Sequence, residues 1–366
     1  MAEVHAERRD RMRERSSAAG LDAALVTRPA NVRWLTGSDS VAALLLTRDG
    51  AEAAAAGPTG PPESDGGCTV LPVPAGTDPA VLLAARCRAR TLGVEEHDLT
   101  VARHRAVAAA APGVEQLRDL GRAVEQLRTV KDEEEISCLR IAGEIADQAL
   151  GELLESILVG RTERHLAMEL ERRMIDHGAD SAAFPTRVGS GDHSGRADHS
   201  SGDRRVEDGD FLTVALGACY RGYRTAATRT FVVGLSPADW QSDLHRQVFA
   251  AQRAAREALT VGGGYDEADR AARRVLGAAG QPAPDEAEPA AREGVGAGVG
   301  LEIGEEPRLG PLELGKLDNR VPVTVGVGVC IPGRGGVRIE DTLVVRPSED
   351  GGPELLTITT KELLAL

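Results

Sequence analysis

Nowhere in the 366 residues does an uninterrupted apolar run approach the ~20 residues that a membrane-spanning helix needs. The opening stretch MAEVHAERRDRMRERS is charged throughout and lacks the apolar core of a secretory leader, so the sequence predicts a cytoplasmic protein with no membrane partner. A basic stripe is missing too. Lys+Arg number 43 against Asp+Glu 57, a formal charge of −14, and the cations are scattered, which argues against nucleic acid as a partner. The five cysteines (Cys68, Cys87, Cys138, Cys219, Cys330) contain no CxxC pair, which excludes a zinc-knuckle spacing and suits reduced thiols. No solenoid-type repeat is found, and no histidine follows His245.

What is present is enough chain for two domains, each able to bury its own core. Over residues 1–125 short apolar runs (DAALV at 22–26, VAALLL at 41–46, CTVLPV at 68–73, LGVE at 92–95) alternate with helical patterns near 4–19, 78–89 and 99–110. Such alternation predicts a small α/β domain, with the Gly/Pro-rich AGPTGPPESDGG (56–67) as a surface loop. Residues 126–366 change character. Ile136, Leu139, Ile145, Leu150, Leu153, Leu154 and Ile157 recur at three- and four-residue spacings behind an acidic start (Asp132, Glu133, Glu134, Glu135), predicting a long amphipathic helix over 131–158. Helices near 162–177, 239–258 and 266–277 and strand-like runs at 211–218, 223–233, 321–330, 336–346 and 354–359 complete an α+β pattern, with QPAPDEAEPAARE (281–293) as an exposed connection.

The pieces NVRWLTG (31–37), EQLRTVKDEEEI (125–136), the hairpin over 209–234, GVGLEIGEEP (298–307) and GGVRIEDTLVV (335–345), in this order, resemble the creatinase/aminopeptidase P/prolidase family. The resemblance implies an α/β N-terminal domain followed by an α+β pita-bread domain, usually in a homodimer. It also implies a pair of divalent metals held by five side chains, since carboxylates that bridge hard cations let the ions polarise a carbonyl and supply hydroxide. Carried over position by position, four of the five ligands fall on Ala215, Ala226, Ala297 and Gly326, and only Glu340 survives. A hairpin turning around Tyr220-Arg221 would oppose residues 215 and 226 on one face, as paired ligands require. No small shift can restore the histidine, because the last one is His245. The expectation is therefore an emptied, less acidic cavity with no metal and no cofactor.

The resemblance marks further residues around that cavity, each with a bland reading beside the functional one. Glu340 and Glu305 form a candidate acid/base couple; alternatively Arg338 neutralises the first, and Arg308 or solvent the second. In FPTRVGSGDHSGRADHSSGDRR (184–205), strict counting puts Asp198 on the family's substrate-binding histidine position, while a one-residue slip restores His199; His193 lies in the same loop. Thr228, Arg338 and Cys330 are candidates for lining the pocket, although Cys330 has no evident activating base and reads first as small-residue packing. Trp34 either reaches a neighbouring site or plugs a core. These residues lead to the expectation of a metal-independent, hydrolase- or lyase-like enzyme that acts on a small molecule, for which creatinase is the family precedent. The alternative is a non-catalytic binding or scaffold protein, and the lost ligands argue against a conventional Xaa-Pro dipeptidase.

Overall fold

The computed structural model describes residues 2–48, 50, 52–56, 68–156, 158–281 and 294–366, and the chain separates into two units, Met1–Arg128 and Thr129–Leu366. Most of AGPTGPPESDGG and of QPAPDEAEPAARE, together with Ile157, lies outside the described residues.

In the first unit β1 (Ala23–Val26), β2 (Val41–Thr47), β3 (Glu52–Ala56), β4 (Thr69–Leu71), β5 (Thr91–Val94) and β6 (Gln116–Asp119) form one sheet in the order β4-β3-β2-β1-β5-β6. Helices α1 (Ala2–Ala18), α2 (Pro29–Thr36), α3 (Pro79–Arg86), α4 (Val101–Ala110) and α5 (Ala123–Arg128) accompany it. Leu25, Leu45, Leu83, Leu92 and Val107 meet in its core, as the alternation of apolar runs and helical stretches requires. The NVRWLTG motif forms the body of α2. Pro29 opens that helix, and Gly37, at φ 76, closes it by donating its N–H to Arg33 O, a left-handed conformation that glycine adopts without strain. Glu95 pins the start of α2 by accepting from the N–H groups of Thr27 and Arg28 and from the Asn31 side chain. Burial pushes the Glu95 carboxyl above its ordinary pKa, and those same donors oppose the rise.

The second unit opens on α6 (Glu133–Leu154), whose start is a reciprocal cap. Asp132 accepts from Glu135 N at 2.9 Å, and the Glu135 carboxylate accepts from Asp132 N at 3.0 Å. There follow α7 (Glu163–Asp176), β7 (Ser181–Ala182), β8 (Arg187–Ser190), β9 (Phe211–Leu216), β10 (Ala218–Tyr220), β11 (Tyr223–Arg224) and β12 (Ala227–Val232). Then come α8 (Asp239–Glu257), α9 (Glu267–Ala278), β13 (Gly296–Val299), β14 (Ile303–Leu309), β15 (Val321–Ile331), β16 (Gly335–Val345) and β17 (Glu354–Leu355). The large sheet runs β14-β13-β15-β16-β12-β9-β8, with β17 on β16, and a small sheet runs β11-β10-β7.

Alternation along these strands divides the large sheet into two unlike faces. On one, Val188, Leu212, Val214, Leu216 and Phe231 pack with residues of α6 and α7, and Val323, Val325, Val327, Ile339 and Leu343 pack with α8 and α9. This α/β plus pita-bread α+β architecture is the one the sequence predicts. One register differs from expectation. Tyr220 pairs with Tyr223 around a two-residue turn in which Arg221 (φ 49) and Gly222 (φ 80) are both left-handed, the signature of a type I′ hairpin. The turn is thus one residue later than Tyr220-Arg221, so Ala215 opposes Thr228 rather than Ala226.

Candidate active-site face

Directly paired residues of an antiparallel ladder project to the same side, so the registers assemble the other face row by row. Arg187, Ala215, Thr228, Glu340 and Gly326 are successive partners across β8, β9, β12, β16 and β15. On one side of this row lie Gly189, Thr213 and Thr230, continued by Arg338 and Gly328 through a hydrogen bond of 3.0 Å from Arg338 N to Thr230 Oγ1. On the other side Thr342 pairs with Thr324, and Thr324 with Ala297. Thr342 also clasps Ala226, its Oγ1 accepting from Ala226 N at 2.9 Å and donating to Ala226 O at 2.8 Å. Ala215, Ala226, Ala297 and Gly326 therefore converge on Glu340.

Glu340 is half-buried, and its Oε2 accepts from the fully buried Thr228 Oγ1 at 2.9 Å. The side chain lies across Gly326. A Cβ added there would sit 3.2 Å from Glu340 Cβ and 3.3 Å from its Cδ, tighter than ordinary packing. The Glu340 side chain occupies the space that a side chain on Gly326 would take. Arg338 lies similarly over Gly328, whose Cβ would meet Arg338 Cγ at 3.2 Å. Among the described residues no ion pair joins Arg338 to Glu340, so the two charges stand side by side uncommitted to each other.

Glu305 is held elsewhere. Its Oε1 accepts from Glu302 N at 2.9 Å and its Oε2 pairs with Lys131 Nζ at 3.0 Å, with both side chains almost wholly buried. Sequence reasoning singled out Arg308 rather than Lys131, because nothing in the local pattern signals a partner 174 residues away. Cys330 directs its thiol to Ser194 O at 3.7 Å, which ties the 191–199 loop to β15. Trp34 belongs to the first unit. It is 2% exposed, Arg8 stacks on its ring at 4.7 Å, and its carbonyl accepts from Arg8 and bonds the His5 ring.

The histidine loop runs over the edge of the same face. Gly195 N donates to Thr213 Oγ1 at 3.1 Å, and a Cβ on Gly189 would meet His199 Cδ2 at 3.2 Å. The Asp198 side chain turns outward, 71% exposed, with Arg196 beside it at 3.4 Å. His199 turns inward, its Nε2 2.8 Å from Glu163 Oε2, and His193 Nδ1 lies 2.9 Å from Glu163 Oε1. Glu163 is fully buried and also accepts from the N–H groups of Ser190 and Gly202. Burial opposes its ionisation, yet the Gly202 and Ser190 N–H groups and the two imidazoles outweigh that and hold its carboxyl below the ordinary range. Glu163 escaped the sequence reading because an acidic residue behind Thr162 at a helix start reads as a dipole partner and nothing more.

The donor set decides what the face can hold. A two-metal centre needs several oxygen or nitrogen ligands around each ion, and alanine and glycine side chains offer none. Glu340 alone does not fit a metal pair.

The chain matches the model of metallopeptidase family M24 over residues 137–347 and that of the creatinase/prolidase N-terminal domain over residues 8–130. It is 36% identical over 251 residues to a Xaa-Pro dipeptidase of Pyrococcus furiosus, covering 69% of each chain. It is 34% identical over 277 residues to an uncharacterized peptidase of Bacillus subtilis, covering 76% of this chain and 75% of that one. A solved Xaa-Pro dipeptidase from Bacillus anthracis superposes with a TM-score of 0.90 at 29% identity, over 99% of this chain and 100% of the other. The prolidase from Pyrococcus horikoshii OT3 gives 0.86 at 28% identity, over 98% and 99%. These similarities overturn the expectation of a small-molecule enzyme with a scaffold as its alternative. They likewise overturn the argument against Xaa-Pro dipeptidase activity, because proteins of that name are what the chain is similar to along nearly its whole length.

Proposed function

The chain belongs to metallopeptidase family M24, with a creatinase/prolidase N-terminal domain, and on that premise we propose that it hydrolyses short Xaa-Pro peptides bound on the face around Glu340 and Arg338. One observation carries the reading. A carboxylate and a guanidinium stand two residues apart on β16, roughly 7 Å along the strand, their side chains lying over Gly326 and Gly328. A dipeptide's carboxylate needs a cation, and its scissile amide, a few ångströms away, needs a group that takes a proton from water. The relatives named as Xaa-Pro dipeptidases support the substrate class.

In this reading Arg338 takes the peptide's carboxylate, and Thr228 fixes Glu340 by donating to one of its oxygens. The Glu340 carboxylate then removes a proton from the attacking water. As the new C–O bond forms and the C–N bond breaks, that proton passes to the prolyl nitrogen. The enzyme is a divergent family member that carries no metal pair on this face, so no step is assigned to one. Glu305 and Lys131 brace the turn that ends at β14, and the 191–199 loop with Cys330 closes the rim.

The test is release of free proline from a panel of Xaa-Pro dipeptides, with Xaa-Ala dipeptides as controls. Glu340→Gln should remain folded and lose about 10²–10⁴-fold in kcat, while Arg338→Met should act mainly on KM. Failure to cleave any Xaa-Pro dipeptide, or an unimpaired Glu340→Gln enzyme, would remove this reading.

A further inference from the structure

The cluster at the β8 edge does not belong to the Glu340 row. Gly189, against which His199 packs, is separated from the Arg338 strand by β9 and β12, roughly 14 Å at ordinary strand spacing. There a buried carboxylate and two imidazoles converge: one ligand atom from each of Glu163, His193 and His199 lies within 4.8 Å of the others. The two rings face each other with centroids 4.4 Å apart, tilted by 33°.

From this geometry we infer that Glu163, His193 and His199 bind one divalent transition ion of the zinc class, with water completing the coordination. The donor set, two imidazole nitrogens and one carboxylate oxygen, is the type that zinc takes when a position is left open. Ligand spacing suits it as well. His193 Nδ1 and His199 Nε2 lie 2.9 and 2.8 Å from different oxygens of Glu163, and with all three ligand atoms within 4.8 Å of one another, movement of the rings brings both nitrogens to bonding distance, about 2.0–2.1 Å, of one ion on the carboxylate.

The surroundings are built as ligand shells are built. Gly202 N donates to Glu163 Oε2 at 3.0 Å and Ser190 N to Oε1 at 2.8 Å, so the carboxylate keeps its orientation when the imidazoles give their lone pairs to an ion instead of sharing protons with the oxygens. The loop carrying His193 is itself fastened: Ser194 Oγ donates to Gly191 O at 2.6 Å and accepts from Gly336 N at 2.9 Å. Glu163 is fully buried and His199 nearly so, whereas His193 is 31% exposed, which leaves one side for entry and for the water ligand.

This inference stands apart from the peptidase reading, and its test reads binding rather than turnover. The full-length chain, stripped with a chelator and returned to neutral pH, is titrated with Zn²⁺ alone and followed by calorimetry and elemental analysis. One equivalent is expected, with a rise in Tm. His193→Ala and His199→Ala should each weaken binding by more than the roughly 10–100-fold that loss of a merely outer-shell partner produces, and the double variant should abolish both uptake and the Tm rise. Glu340→Gln should bind Zn²⁺ as the unaltered chain does. If the alanine variants do not fold, the corresponding glutamine variants and the visible spectrum of the Co²⁺-loaded chain provide the same comparison. Absence of stoichiometric uptake, or uptake that survives loss of both histidines, overturns the assignment.

Discussion

Glu340 and Asp341 are neighbours in sequence and opposites in environment, because successive strand residues point to opposite faces. Asp341 points into the helix-covered core and is fully buried. It pairs with Arg229 at 2.8 Å and Lys361 at 3.2 Å, and accepts from Gln252 at 2.8 Å and Thr357 at 3.3 Å. Glu340 points to the other face, half-buried, with the Thr228 hydroxyl on one oxygen. Asp341 is a carboxylate whose oxygens are taken by two cations and two further donors, so here it serves as structure. One that keeps an oxygen uncommitted can serve chemistry. The two halves of the motif RIED thus divide between the two tasks.

The comparison breaks most visibly at Asp341. Asp341→Asn keeps the shape but leaves Arg229 and Lys361 as unpaired buried cations, so it should cost about 3–5 kcal/mol, read by chemical denaturation. An equally stable variant would show that the network is solvated and that the contrast between the faces is not real. A smaller effect is expected at Gly326. Gly326→Glu drives a new Cβ against Glu340, an overpacking worth about 1–3 kcal/mol in the same measurement, unless Glu340 swings away. Smaller still is the stability effect of Glu340→Gln, which alters a single hydrogen bond to Thr228 and should change stability by about 1 kcal/mol or less. A loss as large as that of Asp341→Asn would make Glu340 structural.

Much of this division was legible before the structure. Element types follow from periodicity, and the positions Ala215, Ala226, Ala297, Gly326 and Glu340 do gather on one face. What was not legible rests on distance and on single residues. The hairpin register depended on which two residues take positive φ, and Arg221-Gly222 rather than Tyr220-Arg221 do so, with glycine well suited to the second position. The NVRWLTG motif lies in a helix whose two ends are set by Pro29 and Gly37. Lys131 and Glu163 were invisible as site partners, since each reaches its partner through the fold and not through spacing. Burial separates Asp198 from His199: the imidazole meets a buried carboxylate, and the aspartate faces solvent.

A further predicted effect concerns pH and again separates the two faces. His245, on α8 behind the sheet, is 7% exposed and lies against Phe249, with ring centroids 6.3 Å apart. Burial lowers its pKa below the ordinary value of 6.5, and a hydrogen bond involving the Lys361 backbone opposes this only partly. In the window from 6.5 down to that lowered value the unfolded chain takes up the proton and the folded chain does not. The unfolded state therefore binds more protons, stability rises with pH, and acidification through the window erodes it, by at most ~1.4 kcal/mol per pH unit for a single proton. Glu163 acts at more acidic pH and with the same sign. Its folded pKa is depressed, so its contribution is complete above the unfolded carboxylate value and is lost as pH falls through the folded one. Denaturation curves measured from pH 7.5 to 5 should slope downward, and His245→Phe should flatten that part of the profile while leaving the loss below pH 5 in place. A His245→Phe profile parallel to that of the unaltered chain would assign the slope to another group, and the helix-covered face would then hold no titrating histidine of consequence.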